Sequence, residues 1–93
     1  MRLNGYMYFV YILESQKDHN WYIGFSRDIE QRLAQHNAHK NRSTRFRGPL
    51  KLIYYEAYIE KKDALGRERF LKSGSGHRFV RKQLQNYFGN KTD

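Results

Sequence analysis

The sequence predicts an α+β domain built on a three-stranded, mainly antiparallel sheet with flanking helices, in the order β-β-α-β-α-α. Three observations carry this. Two aromatic and β-branched runs, Tyr8-Phe9-Val10-Tyr11-Ile12-Leu13 and Trp21-Tyr22-Ile23-Gly24-Phe25, are separated by a short polar stretch, which reads as a hairpin. A third run of the same character begins near Leu50, after a long basic gap. The segments between and after these runs carry apolar residues at helical spacing.

Residues 6–14 form the first strand. Both of its faces are apolar, with Phe9, Tyr11 and Leu13 on one and Tyr8, Val10 and Ile12 on the other, so it belongs in the centre of the sheet. Residues 15–20 are polar and turn-like. Residues 21–25 return as the second strand, with Tyr22 and Gly24 on one face and Trp21, Ile23 and Phe25 on the other. Ser26 and Asp28 both suit the N-cap of a helix running to Asn37. Its apolar stripe is narrow, Ile29 and Leu33, and Arg32 and His36 fall on the border of that stripe, looking out along the sheet edge.

Residues 38–48 are a loop, closed by Gly48-Pro49. In the third strand, over 50–59, Leu52, Tyr54 and Tyr58 are expected to alternate with Ile53, Tyr55 and Ala57. Residues 60–72 are helical. Ala64 and Leu71 mark the inner face, and Glu68 lies roughly 40° from Ala64, a carboxylate within an apolar stripe. Such a carboxylate is costly unless paired or bound to metal; Arg67, Lys72 and a strand tyrosine are available partners. Ser73-Gly74 reads as the stop of this helix. Ser75 is expected to cap a last helix over 77–88, with Phe79, Val80, Leu84 and Tyr87 or Phe88 inward. The Ser73-Gly74-Ser75-Gly76 string lacks the spacing and the Lys-Ser/Thr of a P-loop and reads as a flexible inter-helix turn. His19, His39 and His77 have no metal-ligand spacing and receive no role. Residues 1–88 are expected to form a single domain, and 89–93 a frayed tail.

Composition narrows the function. The chain has 93 residues, with 18 Lys+Arg against 9 Asp+Glu and a net charge of +9. This balance favours a polyanionic partner, nucleic acid first and anionic membrane surface second. No apolar run is long enough to span a membrane, and the N-terminus does not read as a signal peptide. The absence of cysteine excludes disulfides and thiolate metal sites, and the simplest location is the cytoplasm. No acidic residue occurs over residues 31–55 or 69–92. Lys40, Arg42, Arg45 and Arg47 in the loop, Lys72, and Arg78, Arg81 and Lys82 on the last helix are candidate contacts to a nucleic-acid backbone. Such contacts set affinity and salt dependence without reading sequence.

Two phenols, a guanidinium and an imidazole (Tyr11, Tyr22, Arg32 and His36) arrive within about one supersecondary unit, a grouping suited to a phosphate ester. Phosphodiester cleavage needs an activated water, an electrophile on the phosphate oxygens and help for the leaving oxygen. A hard divalent cation on carboxylate oxygen supplies the last two. A guanidinium can grip two phosphate oxygens at once. A free phenol ionises near about 10, so it is a poor base at neutral pH unless a cation favours the phenolate. Taken singly, each residue has an ordinary explanation: strand packing for the tyrosines, solvated helix surface for Arg32, C-terminal helix decoration for His36.

Tyr22-Ile23-Gly24, the tyrosine of Phe9-Val10-Tyr11, Arg32-x-x-x-His36 and, after the third strand, Ala64-x-x-x-Glu68-x-x-x-Lys72 occur in an order and spacing that resembles the GIY-YIG endonuclease domain. The first motif keeps only its tyrosine, with Phe and Val in place of Gly and Ile. The resemblance covers residues 8–84 and points to the small bacterial type, similar to the amino-terminal nuclease domain found in the bacterial excinuclease. It implies that Tyr11 activates or positions the attacking water and that Tyr22 hydrogen-bonds around the scissile phosphate. It implies that Arg32 neutralises transition-state charge and that His36 assists proton transfer. Glu68 is implied to bind one divalent metal, Mg²⁺ or Mn²⁺. A final family asparagine has its loosest counterpart in Asn86.

The function expected on this basis is metal-dependent hydrolysis of phosphodiester bonds in DNA, in repair or recombination, with a protein partner supplying specificity. The competing readings are a nucleic-acid-binding module of the same fold, non-catalytic or dependent on a partner for chemistry, and a structural domain whose charge serves solubility.

Overall fold

The computed structural model describes residues 5–38 and 48–89. The chain runs β1 (Tyr8–Ser15), β2 (Trp21–Ser26), α1 (Ile29–Asn37), β3 (Leu50–Tyr58), α2 (Lys61–Leu71), α3 (Gly74–Gln83) and α4 (Gln85–Gly89). The sheet order is β2-β1-β3, and both pairings are antiparallel. The strand that is apolar on both faces is therefore the central one, as its pattern predicts. Val10, Ile12 and Leu13 have no solvent exposure.

The sheet separates two cores. On one face Phe9, Tyr11 and Leu13 pack with Ile29 of α1 and Leu50, joined by Tyr22, Leu33 and Leu52. On the other, Val10 and Ile12 meet Ala64 and Leu71 of α2 and Val80 of α3, with Trp21, Ile23, Phe25, Phe70 and Phe79 around them. The hairpin between β1 and β2 is tied locally. Ser15 Oγ accepts from the backbone N–H groups of Lys17 and Asp18, Asp18 Oδ1 accepts from Asn20 N, and His19 takes a left-handed conformation, φ 62°. Asp28 is the residue that caps α1, its carboxylate accepting from Gln31 N. Ser26 instead supports it, exchanging hydrogen bonds between its hydroxyl and the Asp28 backbone. At the far end of α1, Asn37 donates to Leu50 O and accepts from Leu50 N, 3.2 and 2.7 Å, which locks the end of α1 to the start of β3.

Three sequence expectations are corrected. Along β3, Leu52 pairs with Leu13 but Tyr54 pairs with Ile12, so Ile53 is an extra residue on the strand, a β-bulge. Leu52 consequently faces the α1 core, while Ile53, Tyr54 and Tyr58 all face α2. Second, Ser73 rather than Ser75 begins the next helix. Its hydroxyl accepts from Gly76 N and donates to Phe70 O, so Gly74 to Gly76 form the first turn of α3 and not a flexible linker. The reason is tertiary. A Cβ at Gly76 would overlap the Phe70 carbonyl oxygen and stand 2.6 Å from Leu71 Cα, so α2 and α3 meet through a bare backbone. Third, the last helix is interrupted at Leu84, whose backbone leaves the helical region, φ −107° and ψ 33°. The short α4 that follows brings Phe88 onto Trp21, ring centroids 5.5 Å apart, and Tyr87 to Glu14.

Candidate active site

A cleft of about 510 Å³ runs along the edge of β2 that has no strand beside it among the described residues. All five residues from Trp21 to Phe25 line it. Successive strand residues point to opposite faces, so the cleft wraps the edge of the sheet, with β2 as its floor. On the α1 side stand Tyr11, Arg32 and His36; on the α2–α3 side stand Glu68, Lys72 and His77. Tyr11, Tyr22, Arg32, His36 and Glu68 thus all line one cavity, although more than thirty residues of sequence separate Glu68 from His36.

Each side chain is placed by its element. Tyr11 is on the central strand and 2% exposed, directly opposite Gly24 of β2. Its hydroxyl and Cζ occupy the space where a side chain at residue 24 would begin. The glycine lets the phenol lie across the edge strand. Arg32 and His36 are one turn apart on α1 with different environments. Arg32 is exposed, with Nη1 3.4 Å from Gln35 Oε1. His36 is buried, 7% exposed. Burial, and then the positive charge of Arg32, hold the His36 imidazole below its usual value of 6.5, so the neutral ring is favoured.

Glu68 is half-buried and faces the cleft from α2. Lys72, one turn later, places Nζ 3.3 Å from its Oε2. Arg32 and Lys72 are the two cationic side chains of the lining, and Glu68 is its carboxylate. The donor set accords with a hard cation that keeps several waters and needs one or two carboxylates plus substrate phosphate. It does not accord with a multi-ligand cage, because among the described residues no group of three or more His, Cys, Asp or Glu could hold a metal ion.

Of the predicted backbone contacts, Lys72 lines the cleft. Arg78, Arg81 and Lys82 lie exposed on α3. Arg81 stacks over Trp21, itself a lining residue, at 5.0 Å, whereas Arg78 donates to Ser75 Oγ. Lys40, Arg42, Arg45 and Arg47 lie outside the described residues. Asn86 is exposed on α4 and is not part of the lining. Sequence reasoning missed His77, which the α2–α3 turn carries into the cleft against Trp21, ring centroids 4.9 Å apart. No local spacing could have signalled it.

A second charged cluster lies on the same face of the sheet as α2. Glu56 receives Arg67 Nε and Nη2 at 2.8 and 3.0 Å and the hydroxyls of Tyr54 and Tyr58 at 2.5 Å each. Burial pushes the Glu56 carboxyl up, but the hydrogen bonds from Arg67, Tyr54 and Tyr58 outweigh it and leave the carboxyl below its usual value. Burial and the bond to Glu56 push both phenols up to about 12. With every partner satisfied, this group ties β3 to α2, the helix that carries Glu68.

No helix among the described residues is long and apolar enough to cross a membrane. The family model for the GIY-YIG catalytic domain matches residues 7–83. A UPF0213 protein of Streptococcus pneumoniae is 42% identical over 65 residues, which are 69% of this chain and 65% of that protein; the chain thus spans slightly under two thirds of that relative. A UPF0213 protein of Haloquadratum walsbyi is 39% identical over 72 residues, 76% of this chain and 79% of that protein. The solution structure of the UPF0213 protein BH0048 from Bacillus halodurans superposes with a TM-score of 0.55 and 30% identity, covering 92% of this chain and 94% of that one. With the β2-edge cleft built from the second tyrosine motif, the α1 Arg–His pair and the α2 carboxylate, the chain belongs to the GIY-YIG nuclease family, among its UPF0213 members.

Proposed function

We propose that this protein is a metal-dependent endonuclease that hydrolyses phosphodiester bonds in DNA, acting in the cytoplasm in repair or recombination, with a partner protein supplying specificity. The observation that carries the reading is the convergence of Tyr11, Tyr22, Arg32, His36 and Glu68 on one cleft. The net charge of +9 supports a polyanionic substrate.

Glu68 would hold the cation, Mg²⁺ or Mn²⁺, which polarises a phosphate and offsets charge on the leaving oxygen. Arg32, exposed at the rim, turns its guanidinium onto the phosphate oxygens. Tyr22 donates to the same group. The Tyr11 hydroxyl, fixed across Gly24, orients the attacking water. His36, favoured in its neutral form, has a ring nitrogen able to accept a proton. Lys72 and the exposed α3 cations Arg78, Arg81 and Lys82 hold the nucleic-acid backbone, with Lys40, Arg42, Arg45 and Arg47 as further contacts.

The test is cleavage of single-stranded, duplex, flap and branched DNA by purified protein with Mg²⁺ or Mn²⁺. Glu68→Ala, Tyr11→Phe and Arg32→Ala should each lose on the order of a hundredfold or more in rate while retaining the fold. The reading fails if no substrate is cut, or if Glu68→Ala cuts as well as the unaltered protein. Salt-sensitive, metal-independent binding without cleavage would instead make the protein a binding module of the same fold.

A further inference from the structure

We propose that Lys72 is the resident counter-ion of Glu68 and leaves it when a substrate phosphate arrives, so that nucleic acid and cation bind cooperatively. The inference rests on the reading of Glu68 as the cation ligand.

Lys72 Nζ lies 3.3 Å from Glu68 Oε2, one turn along α2, and both residues line the cleft. A pair at this spacing is commonplace on a solvated helix face. Here, however, the Glu68 side chain is only 19% exposed and turned into the cavity, while that of Lys72 is 56% exposed. The carboxylate is thus the more enclosed of the two, and the ammonium, on its flexible stem, is the partner with room to move. With its ammonium partner open to solvent the pair is screened on that side, so exchange is easy.

The charge of the lining makes the exchange consequential. Two cationic side chains, Arg32 and Lys72, stand against the one carboxylate, so with neutral histidines its formal charge is +1. No second acidic side chain among the lining residues offsets it. A divalent ion approaching the free protein meets a cleft of its own sign and a carboxylate already engaged. An entering phosphate attracts both Arg32 and Lys72. It releases Glu68 and adds negative charge beside it. Substrate and cation then strengthen one another's binding by the same factor.

The experiment measures Mn²⁺ binding through the free-ion paramagnetic resonance signal, with and without a short phosphorothioate oligonucleotide, subtracting ion bound by the oligonucleotide alone. The unaltered protein should bind weakly by itself and more tightly with the oligonucleotide. Lys72→Gln should bind Mn²⁺ about fivefold or more tightly without the oligonucleotide, and the oligonucleotide should then add less. Glu68→Ala should lose both effects. If Lys72→Gln matches the unaltered protein in both states while Glu68→Ala is weakened, the counter-ion role is overturned and Glu68 stands as the ligand. If Glu68→Ala binds Mn²⁺ normally, the ligand reading falls, and the counter-ion role with it.

Discussion

The phenol of Tyr11 lies across the backbone of Gly24: a Cβ at residue 24 would stand 2.5 Å from Tyr11 Cζ and 3.0 Å from Cε1. The glycine of the Tyr22-Ile23-Gly24 string is therefore a packing requirement of a residue on the neighbouring strand. Gly24→Ala should displace the phenol and cost about 1–3 kcal/mol, as overpacking does. Urea unfolding checks the stability. Cleavage measured well below the melting temperature should fall much further than the stability loss accounts for, because the displaced group is the hydroxyl proposed to orient water.

Gly74 and Gly76 are two residues apart in the first turn of α3 and should respond oppositely to alanine. At Gly76 the added carbon collides with α2 backbone, which has no flexible end to move aside, so about 1–3 kcal/mol or more should be lost. At Gly74 the nearest atom is the end of the Arg78 side chain at 3.6 Å, an ordinary contact. There alanine should stabilise by about 0.4–1 kcal/mol through the unfolded chain. Urea midpoints of the two variants decide the matter.

The Glu56 group predicts sensitivity at both ends of the pH scale. The folded carboxyl lies below 4.5, so its contribution is present above that value and is lost as pH falls through the folded one. Tyr54 and Tyr58 are raised from 10.0 to about 12, so their contribution is present below 10 and is lost as pH rises toward 12. Arg67→Met should cost about 1–3 kcal/mol at neutral pH by removing the charged donor to a part-buried carboxylate. Glu56→Gln should flatten the acid limb of a plot of unfolding free energy against pH.

His36 titrates below 6.5 in the folded protein. Between its folded value and 6.5 the unfolded chain binds more protons, so stability falls as pH drops through that window. His36→Gln should reduce that slope. Ring-proton resonances of His36 should give a midpoint under 6.5, and a midpoint above it would contradict the burial of the ring.

The sequence made the face alternation of β1 and β2 legible, because a period of two survives wherever both faces are packed. It also grouped Tyr11, Tyr22, Arg32 and His36, since one hairpin and the helix after it bring them together. The bulge at Ile53 left no trace, because Ile53 is a normal strand residue and the shift arises from pairing with β1. Alternation alone puts Tyr54, Glu56 and Tyr58 on one face, but the bulge turns that face from the α1 side, where Leu52 points, to the α2 side, so the tie of Glu56 to Arg67 leaves no trace in the sequence. Ser73 and Ser75 are equally good caps by type; the choice between them was made by the contact of Gly76 with α2. Glu14 reads as the polar end of a strand, yet it is 1% exposed and accepts a hydrogen bond from Tyr87, 73 residues away. His77 reached the cleft in the same way, through a tertiary turn that no local pattern encodes.

Among the described residues, the strand order β2-β1-β3 leaves the outer side of β2 without a neighbouring strand, and the cleft is built on that margin. Its two walls come from opposite faces of the sheet, with the strand between them. A polymer can be laid over such a margin sideways, at any point along its length, without being threaded from a terminus. On the proposed reading, position in the chain would not limit where a cut falls: circular DNA should be as acceptable as linear, and the first products should be long fragments and not mononucleotides.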